Sequence, residues 1–355
     1  MKNQKRIRDY GITIGNMDTG EKNSITDIEG VKVGHFTINK DSVKTGITAI
    51  LPHSGNLFKE KVFASSHVIN GFGKTMGTIQ IEELGTIETP IILTNTLSIG
   101  AASDALIKYM LNNNEDIGLT TGTVNPIVCE CNDAYLNDIR GSHIKKEHIF
   151  KAIESADDEF EEGSVGAGMG MSCYKLKGGI GTASRVLKFD NKEYKIGSLA
   201  LTNMGKKEDL IINGTPAGKI ISEKDGLNDE ESDKGSIIII LSTDIPMTER
   251  QLKRISKRSV VGLGRTGSYI GNGSGEIVIA FSTANRVSHY EKEEIIDIKM
   301  LNENYMDLAF RAVAECTEEA VLNSMITANT TVGRGKNVRY SLKDYLDIII
   351  KKSKS

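Results

Sequence analysis

The feature that most constrains the fold is a run of branched apolar residues that begins directly after a charged segment. Residues 223–234 are rich in Glu, Asp, Lys and Asn, and such a composition cannot bury enough apolar surface to become ordered by itself. Residues 236–241 (SIIIIL) follow after a single glycine, and a β-branched run of this kind is typical of a strand buried on both faces. The sequence therefore predicts either a junction open to cleavage at Gly235-Ser236 or an ordinary turn from a loop into a core strand.

The two residues at this junction carry the chemistry of an enzyme with an N-terminal nucleophile. Glycine permits a distorted backbone, and the hydroxyl of a following serine can attack the carbonyl group that precedes it. Cleavage between Gly235 and Ser236 would leave Ser236 with a free α-amine beside its own hydroxyl. Such an amine has a pKa of about 8 in model peptides, so near or above that pH it can accept the hydroxyl proton.

The composition excludes several classes of protein. The net charge is −3, and the basic run from Arg250 to Arg258 fits the solvated face of a helix, which argues against nucleic acid as a partner. The N terminus is charged with no apolar stretch behind it, and no eighteen apolar residues follow one another, so we expect a cytoplasmic protein without a signal peptide or membrane span. Four cysteines suit reduced thiols, and Cys129-Glu-Cys131 lacks a second ligand pair, so we expect no metal and no cofactor.

The spacing of apolar residues predicts a mixed sheet protein of the α/β class. The predicted strands are 24–33, 48–51, 90–94, 236–241 and 276–281. The predicted helices are 104–111, 306–325 and one that opens with a capping box at Thr248-Glu-Arg-Gln251 and carries Leu252, Ile255 and Ser259 on one side. The last of these helices lies between two continuously apolar strands, which predicts a strand, helix, strand unit at the centre of the sheet.

Glycine is unusually frequent, with 36 residues in a chain of 355. The glycines cluster in 163–170, 177–182, 262–267 and 271–276. The first cluster lacks the preceding strand and the later acidic residue of a dinucleotide loop, and no cluster has the Lys-Ser or Lys-Thr of a Walker loop. Dense glycine instead allows close backbone approach and exposes N–H groups, which suits a small pocket that stabilises a negative oxygen.

Several segments closely resemble the L-aminopeptidase D-Ala-esterase/amidase family, which includes the β-aminopeptidases. They are ITDIEGVKVGH (25–35), IETPIILTNT (87–96), ECNDAYLND (130–138), KGGIGT (177–182), GLGRTG (262–267) and GNGSGE (271–276), together with Gly235-Ser236. The resemblance runs in order from about residue 5 to residue 340. It implies a four-layer α/β/β/α sandwich of the N-terminal-nucleophile type, similar to ornithine acetyltransferase. It also implies one catalytic domain, 1–355, that cuts itself into an α chain, 1–235, and a β chain, 236–355, and assembles as a tetramer of αβ heterodimers.

The resemblance also assigns roles to individual residues. It implies Ser236 as nucleophile, Ser274 and Glu276 as its hydrogen-bonded partners, Asn203 as an oxyanion donor, Tyr135 as an active-site hydroxyl and Glu130 as the group that meets the substrate ammonium. These types suit the chemistry, because a Ser-Glu relay can take the nucleophile's proton and an amide N–H can stabilise the oxyanion. Four of these residues also have a structural alternative: Ser274 as a turn residue, Asn203 as a loop cap, Tyr135 as a core aromatic and Glu130 as a surface carboxylate.

The predicted function is that of a self-processing serine aminopeptidase or amidase that releases N-terminal residues, L-α, D or β, from short peptides, amides or esters through an acyl-enzyme. One alternative is an amine acyltransferase on the same scaffold, but those enzymes use an N-terminal Thr where this chain has Ser236. The other is a non-catalytic binding protein. Four residues depart from the family pattern without an assigned role, and they are Phe72, Lys74, Met169 and Met171.

Overall fold

The computed structural model describes residues 4–226, 235–291 and 293–353. The strands are β1 (Lys32–Lys40), β2 (Val43–Leu51), β3 (Glu60–Gly71), β4 (Thr86–Ile87), β5 (Ile91–Asn95), β6 (Ile127–Cys131), β7 (Ser172–Cys173), β8 (Leu176–Lys177), β9 (Ile180–Phe189), β10 (Lys192–Asn203), β11 (Ser236–Thr243), β12 (Gly275–Ser288), β13 (Thr331–Val332) and β14 (Val338–Arg339). The helices are α1 (Thr78–Leu84), α2 (Ile99–Asn113), α3 (Lys146–Glu154), α4 (Ala217–Asp225), α5 (Glu249–Ser256), α6 (Ser259–Arg265), α7 (Met306–Ile326) and α8 (Leu346–Ser353). Residues 227–234 of the predicted polar linker lie outside the described residues.

Two sheets and two sets of helices form four layers. One sheet has the strand order β1-β2-β5-β6 and the other β4-β3-β12-β11-β10-β9. An apolar cluster fills the space between the sheets, with Ile91 and Cys129 on one side and Ile238 and Ile279 on the other. Helices α2 and α3 cover the outer face of the smaller sheet, and α5 and α7 cover that of the larger one. This arrangement confirms the predicted four-layer α/β/β/α sandwich.

The two predicted central strands lie where the sequence places them. β11 pairs antiparallel with β10 and parallel with β12, and all eight of its residues are buried. Alternate side chains of β11 face opposite layers, since Ile237 and Ile239 pack under the helices while Ile238 and Ile240 pack between the sheets. Burial on both faces therefore explains why every residue from Ile237 to Leu241 is apolar.

Other predicted elements are present, some with longer bounds. Residues 48–51 lie within β2, 90–94 overlap β5, 104–111 lie within α2 and 306–325 lie within α7. Thr248 forms the predicted capping box with Gln251. The helix that it opens ends at Ser256, however, so Ser259 belongs to the next helix, α6, rather than to the same helix face.

The predicted strand at 24–33 is wrong over most of its length. Residues Ile25–Asp27 form a 3-10 helix, and β1 begins only at Lys32. The cause is local, because the Ser24 hydroxyl accepts the N–H of Thr26 while the Asp27 carboxylate accepts the N–H of Ser24. The apolar residues of this segment still pack between the sheets, so the alternating pattern marks burial without marking a strand.

A buried charge network joins the N-terminal segment and α7 to β9. The guanidinium of Arg185, fully buried, donates to Glu315 at 2.9 Å and to Glu319 at 2.7 Å. Arg8 also donates to Glu319, at 2.7 Å. Burial alone would raise the pKa of Glu319, but the guanidinium groups of Arg8 and Arg185 hold it below its usual value. Within the described ranges, no helix has the length and hydropathy to cross a membrane.

Candidate active site

Ser236 lies at the point where three central strands of the larger sheet meet. It is the first residue of β11, and it pairs with Asn203 at the end of β10 and with Gly275 at the start of β12. The sheet register therefore brings the predicted nucleophile and the predicted oxyanion donor to directly opposite positions. Ser236 is 9% exposed, so its side chain is almost enclosed.

The N–H of Gly275 contacts both parts of the predicted cleavage junction. It donates to the carbonyl oxygen of Gly235 at 3.3 Å and to Oγ of Ser236 at 3.3 Å. The carbonyl that would be cut and the hydroxyl that would attack it are thus held by one backbone donor. Such a donor polarises the carbonyl and can stabilise negative charge that develops on its oxygen.

Gly235 is required at its position by the close approach of β10. A Cβ atom at this position would lie 2.5 Å from Cα of Met204, and closer still to the carbonyl oxygen of Asn203. Both distances are far inside van der Waals contact. The peptide bond before Ser236 therefore lies pressed against the end of β10 because residue 235 has no side chain.

The side chain of Asn203 is oriented by a backbone group. Its Oδ1 accepts the N–H of Ser172, in β7, at 2.9 Å. Because the amide oxygen is engaged in this way, the NH₂ group is the end of the side chain that can serve an acceptor elsewhere. This orientation is the one that an oxyanion donor needs.

Ser274 and Glu276 flank Gly275, and both are fully buried. The Ser274 hydroxyl donates to the carbonyl of Gly271 at 2.6 Å. Glu276 pairs with Ile237 across the parallel ladder, and a bulge in the pairing with β3 follows it directly. Both residues are thus chain neighbours of Gly275, whose N–H contacts Ser236, while the Ser274 hydroxyl is directed to Gly271.

Tyr135 lies in the loop after β6 and is half-exposed. The guanidinium of Arg339 stacks on its ring, 3.4 Å from the ring centroid, and Nε of Arg339 donates to Oγ of Ser172 at 2.8 Å. Because the N–H of Ser172 holds Asn203, these contacts connect Tyr135 to the end of β10. Sequence reasoning missed Arg339 and Ser172, because neither lies in one of the motifs that carry the resemblance to the aminopeptidase family.

Glu130 is a buried carboxylate in β6 rather than a surface one. Its Oε1 accepts the N–H of Lys74 at 3.0 Å, and Oε2 accepts the hydroxyl of Thr96. A Cβ atom at Gly73 would lie 3.8 Å from Glu130 Oε1 and 3.9 Å from Cα of Gly275. Glu130 therefore lies on the smaller sheet close to the residue that contacts Ser236.

The four residues that depart from the family pattern occupy different environments. Met169 and Met171 are buried, and Met171 packs between the two sheets. Phe72 is exposed, and the ammonium of Lys74 lies 5.7 Å from its ring centroid. Phe72 and Lys74 follow β3 beside Glu130, so these two, unlike the methionines, are open to solvent next to the site.

The cysteines of Cys129-Glu-Cys131 are part of the core between the sheets. Burial raises the pKa of Cys129 to about 12 and also raises the pKa of Cys131. Both thiols are therefore held in the neutral form, which is a poor metal ligand. In the part of the chain that the structure describes, no group of three or more His, Cys, Asp or Glu side chains is placed to hold a metal ion.

Comparison with known proteins identifies the family of the chain. A model of peptidase family S58 matches residues 23–339. The chain belongs to peptidase family S58. A β-peptidyl aminopeptidase of Sphingosinicella microcystinivorans is 37% identical to it, over 92% of this chain and 87% of that protein. Family membership confirms the predicted resemblance and the predicted enzyme class, a serine aminopeptidase, over the acyltransferase and binding-protein alternatives.

Two solved structures have the same fold as this chain. A protein from Pyrococcus horikoshii OT3 has a TM-score of 0.93 and 52% identity, covering 99% of both chains. The L-aminopeptidase D-Ala-esterase/amidase of Ochrobactrum anthropi has a TM-score of 0.91 and 34% identity, covering 98% of this chain and 99% of that one. The latter is described as a prototype for the serine aminopeptidases and as a variant of the Ntn hydrolase fold, which confirms the predicted N-terminal-nucleophile type of fold.

Proposed function

We propose that this S58 peptidase cuts its own chain between Gly235 and Ser236 and then uses Ser236 as the nucleophile of an aminopeptidase. The observation that carries the proposal is the position of the Gly275 N–H, which contacts the Gly235 carbonyl and the Ser236 hydroxyl together. The pairing of Asn203 opposite Ser236 supports the same site. On this proposal, the single domain matures into an α chain, 1–235, and a β chain, 236–355.

Maturation begins when Oγ of Ser236 attacks the carbonyl carbon of Gly235. The new C–O bond forms an ester, and the C–N bond to Ser236 breaks while its nitrogen takes up the proton lost from the hydroxyl. Water then hydrolyses the ester, which leaves a carboxylate on Gly235 and a free hydroxyl on Ser236. The Gly275 N–H supports this reaction because it stabilises the negative charge that develops on the Gly235 oxygen.

In turnover the same hydroxyl attacks the carbonyl carbon of a substrate. The freed α-amine of Ser236, assisted by Ser274 and Glu276, takes the hydroxyl proton and passes it to the leaving amine or alcohol. The NH₂ group of Asn203 stabilises the oxyanion, with the hydroxyl of Tyr135 beside it. Water hydrolyses the acyl-enzyme and restores Ser236. One such oxyanion donor contributes about 3–4 kcal/mol in other acyl-transfer enzymes.

The substrates are short peptides, amides or esters with a free amine on the α or β carbon. Glu130 supports this assignment, because it is a buried carboxylate close to Gly275 and is oriented by Lys74 and Thr96. An ammonium group that reaches it would neutralise a charge that is otherwise costly to bury. The relatives named above are described as a β-peptidyl aminopeptidase and an L-aminopeptidase D-Ala-esterase/amidase. We further propose a cytoplasmic tetramer of αβ heterodimers that needs no cofactor.

Denaturing mass spectrometry of active protein tests the maturation step. Two chains are expected, with the smaller one beginning at Ser236, and a fully active chain of 355 residues would exclude the proposal. Turnover of a free-amine anilide and of its N-acetylated analogue tests the substrate assignment. The acetylated compound should react far more slowly, and equal rates would exclude an aminopeptidase that uses Glu130.

A further inference from the structure

A lysine in the glycine-rich region is fully buried and has no role in the mechanism above. Lys177 ends β8 and pairs across a short ladder with Ser172 of β7. Its Nζ donates to the carbonyl oxygens of Gly168 at 2.9 Å, Met171 at 3.1 Å and Gly178 at 2.6 Å. An ammonium has three donors, so these three acceptors satisfy the charged form completely.

One of these contacts leads directly to the proposed oxyanion donor. The carbonyl of Met171 and the N–H of Ser172 belong to the same planar peptide group. Lys177 donates to the carbonyl oxygen of this peptide group. The N–H of the same group, that of Ser172, donates to Oδ1 of Asn203 at 2.9 Å. An ammonium, a peptide and a side-chain amide thus form one chain of hydrogen bonds that ends at the NH₂ group of Asn203.

We propose that Lys177 is a positioning residue that fixes the Met171–Ser172 peptide and strengthens Asn203 as the oxyanion donor. Hydrogen bonds in such a chain polarise one another, by about 10–30% per bond. A positive charge at the far end draws electrons away from each amide in turn, so the NH₂ group of Asn203 becomes a better donor. The inference rests on the proposed role of Asn203 in turnover.

The charge state of Lys177 depends on its surroundings. Burial lowers the pKa of Lys177 to about 7, while Cys173 of β7 and Asp133 of the loop after β6 act in the opposite direction. Burial raises the pKa of Asp133 to about 7, against hydrogen bonds from Thr45 and Asn137. The ammonium form of Lys177 therefore dominates at acidic pH. An ionised Asp133 raises the pKa of Lys177 and so keeps the lysine charged to a higher pH.

A double-mutant cycle tests the inference on protein that needs no self-cleavage. The two chains, 1–235 and 236–355 with Ser236 leading, are co-expressed with Lys177→Met, Asn203→Ala or both. Lys177→Met should lower kcat about tenfold with KM nearly unchanged, less than the hundredfold or more expected for Asn203→Ala. In the Asn203→Ala background, Lys177→Met should have no further effect, because its effect passes through Asn203.

The matched control is Lys44→Met, which removes another buried lysine. Lys44 donates to Oδ1 of Asn39 and has no bond to the Met171–Ser172 peptide, so kcat should stay at the wild-type value. If Asn203→Ala itself keeps wild-type kcat, the proposed function is wrong. If Asn203→Ala is impaired but Lys177→Met has no effect, or has the same effect in both backgrounds, the inference about Lys177 is wrong.

Asp133→Asn decides the matter if Lys177→Met does not fold. This variant keeps Lys177, its three carbonyl partners and an oxygen for the side chain of Asn137. At pH 6, where Asp133 is mostly protonated, kcat should be close to that of the wild type. At pH 8 it should be lower, since Lys177 has lost the neighbouring charge that favours its ammonium form. An unchanged pH profile of kcat overturns the inference.

Discussion

Replacing Gly235 with alanine should block maturation while leaving turnover intact. The added methyl carbon would lie 2.5 Å from Cα of Met204 and 2.9 Å from the carbonyl carbon of Asn203, and closer still to the Asn203 oxygen. These atoms belong to the backbone of β10 or follow it directly, so no side chain can turn aside. Since carbon atoms pack at about 3.5–4.0 Å, the junction has to move by about 1 Å.

A shift of this size should abolish the alignment that cleavage needs. The Gly235 carbonyl already lies 3.3 Å from the Gly275 N–H, so a further 1 Å removes the donor. Misplacement of reacting groups by about 1 Å can cost a hundredfold in rate, and we expect Gly235→Ala to be cut at least a hundredfold more slowly than the wild type. Alanine leaves the peptide bond and Ser236 chemically unchanged, so the effect is one of position.

Intact mass spectrometry over a time course measures the cut fraction of Gly235→Ala. Gly122→Ala is the control, because a Cβ atom there meets nothing within 4 Å, and it should be cut at the wild-type rate. Gly235→Ala should regain activity when the two chains are expressed separately, since residue 235 then ends a free chain and can move away. Wild-type cleavage of Gly235→Ala, or inactivity of its two-chain form, would refute the reasoning.

Three further outcomes are expected. Ser236→Ala should fold but remain a single, inactive chain by mass spectrometry, because it lacks the hydroxyl for both steps, and any cleavage at this bond would assign the nucleophile elsewhere. Glu130→Gln in the two-chain form should lower kcat/KM for a free-amine anilide by about tenfold to a hundredfold, the value of a lost charged hydrogen bond, and an equal loss on an N-acetylated anilide would show a merely structural role. Glu319→Gln should lower the free energy of unfolding at pH 7 by about 3 kcal/mol, because it removes the buried carboxylate that pairs with the guanidinium groups of Arg185 and Arg8. Since the folded-state pKa of Glu319 is below its usual value, the stability of the wild type should fall as the pH drops below about 4.5. Urea unfolding from pH 7 to pH 3 should therefore show the stabilities of the two proteins converging.

The central strands at the proposed site could be predicted because their residues form continuous apolar runs, which indicate burial on both faces. After Ser236, every residue from Ile237 to Leu241 is apolar. An uninterrupted apolar run of this length is expected of a strand that is covered on both faces, as β11 is. The 24–33 segment was harder, because an alternating pattern fits both a half-buried strand and a turn closed by Ser24 and Asp27. A single capping interaction between near neighbours decided between them.

The contacts that orient the site could not be read from the sequence. Arg339 reaches Ser172 across 167 positions of the chain, and Ser172 reaches Asn203 across 31. Such contacts join segments that are far apart in the chain, and no local pattern specifies them. The direction of the Ser274 hydroxyl, toward Gly271, is likewise a property of the folded loop. The sequence can thus propose the residues of the site, whereas the hydrogen bonds that orient them are visible only in the structure.

Two glycines, Gly178 of the 177–182 cluster and Gly235 before β11, allow backbone to pack against the end of β10. A Cβ atom at Gly178 would clash with the carbonyl oxygen of Thr202 and lie 3.0 Å from Cβ of Cys173, and one at Gly235 would clash with the carbonyl oxygen of Asn203. Backbone therefore packs against consecutive peptide groups of β10 from two separate segments, with no side chain between them. One segment brings the cleavage junction to Asn203, and the other brings Lys177 and the Ser172 peptide to it. Glycine at these two positions allows main chain, rather than side chains, to place the proposed oxyanion donor beside the proposed nucleophile.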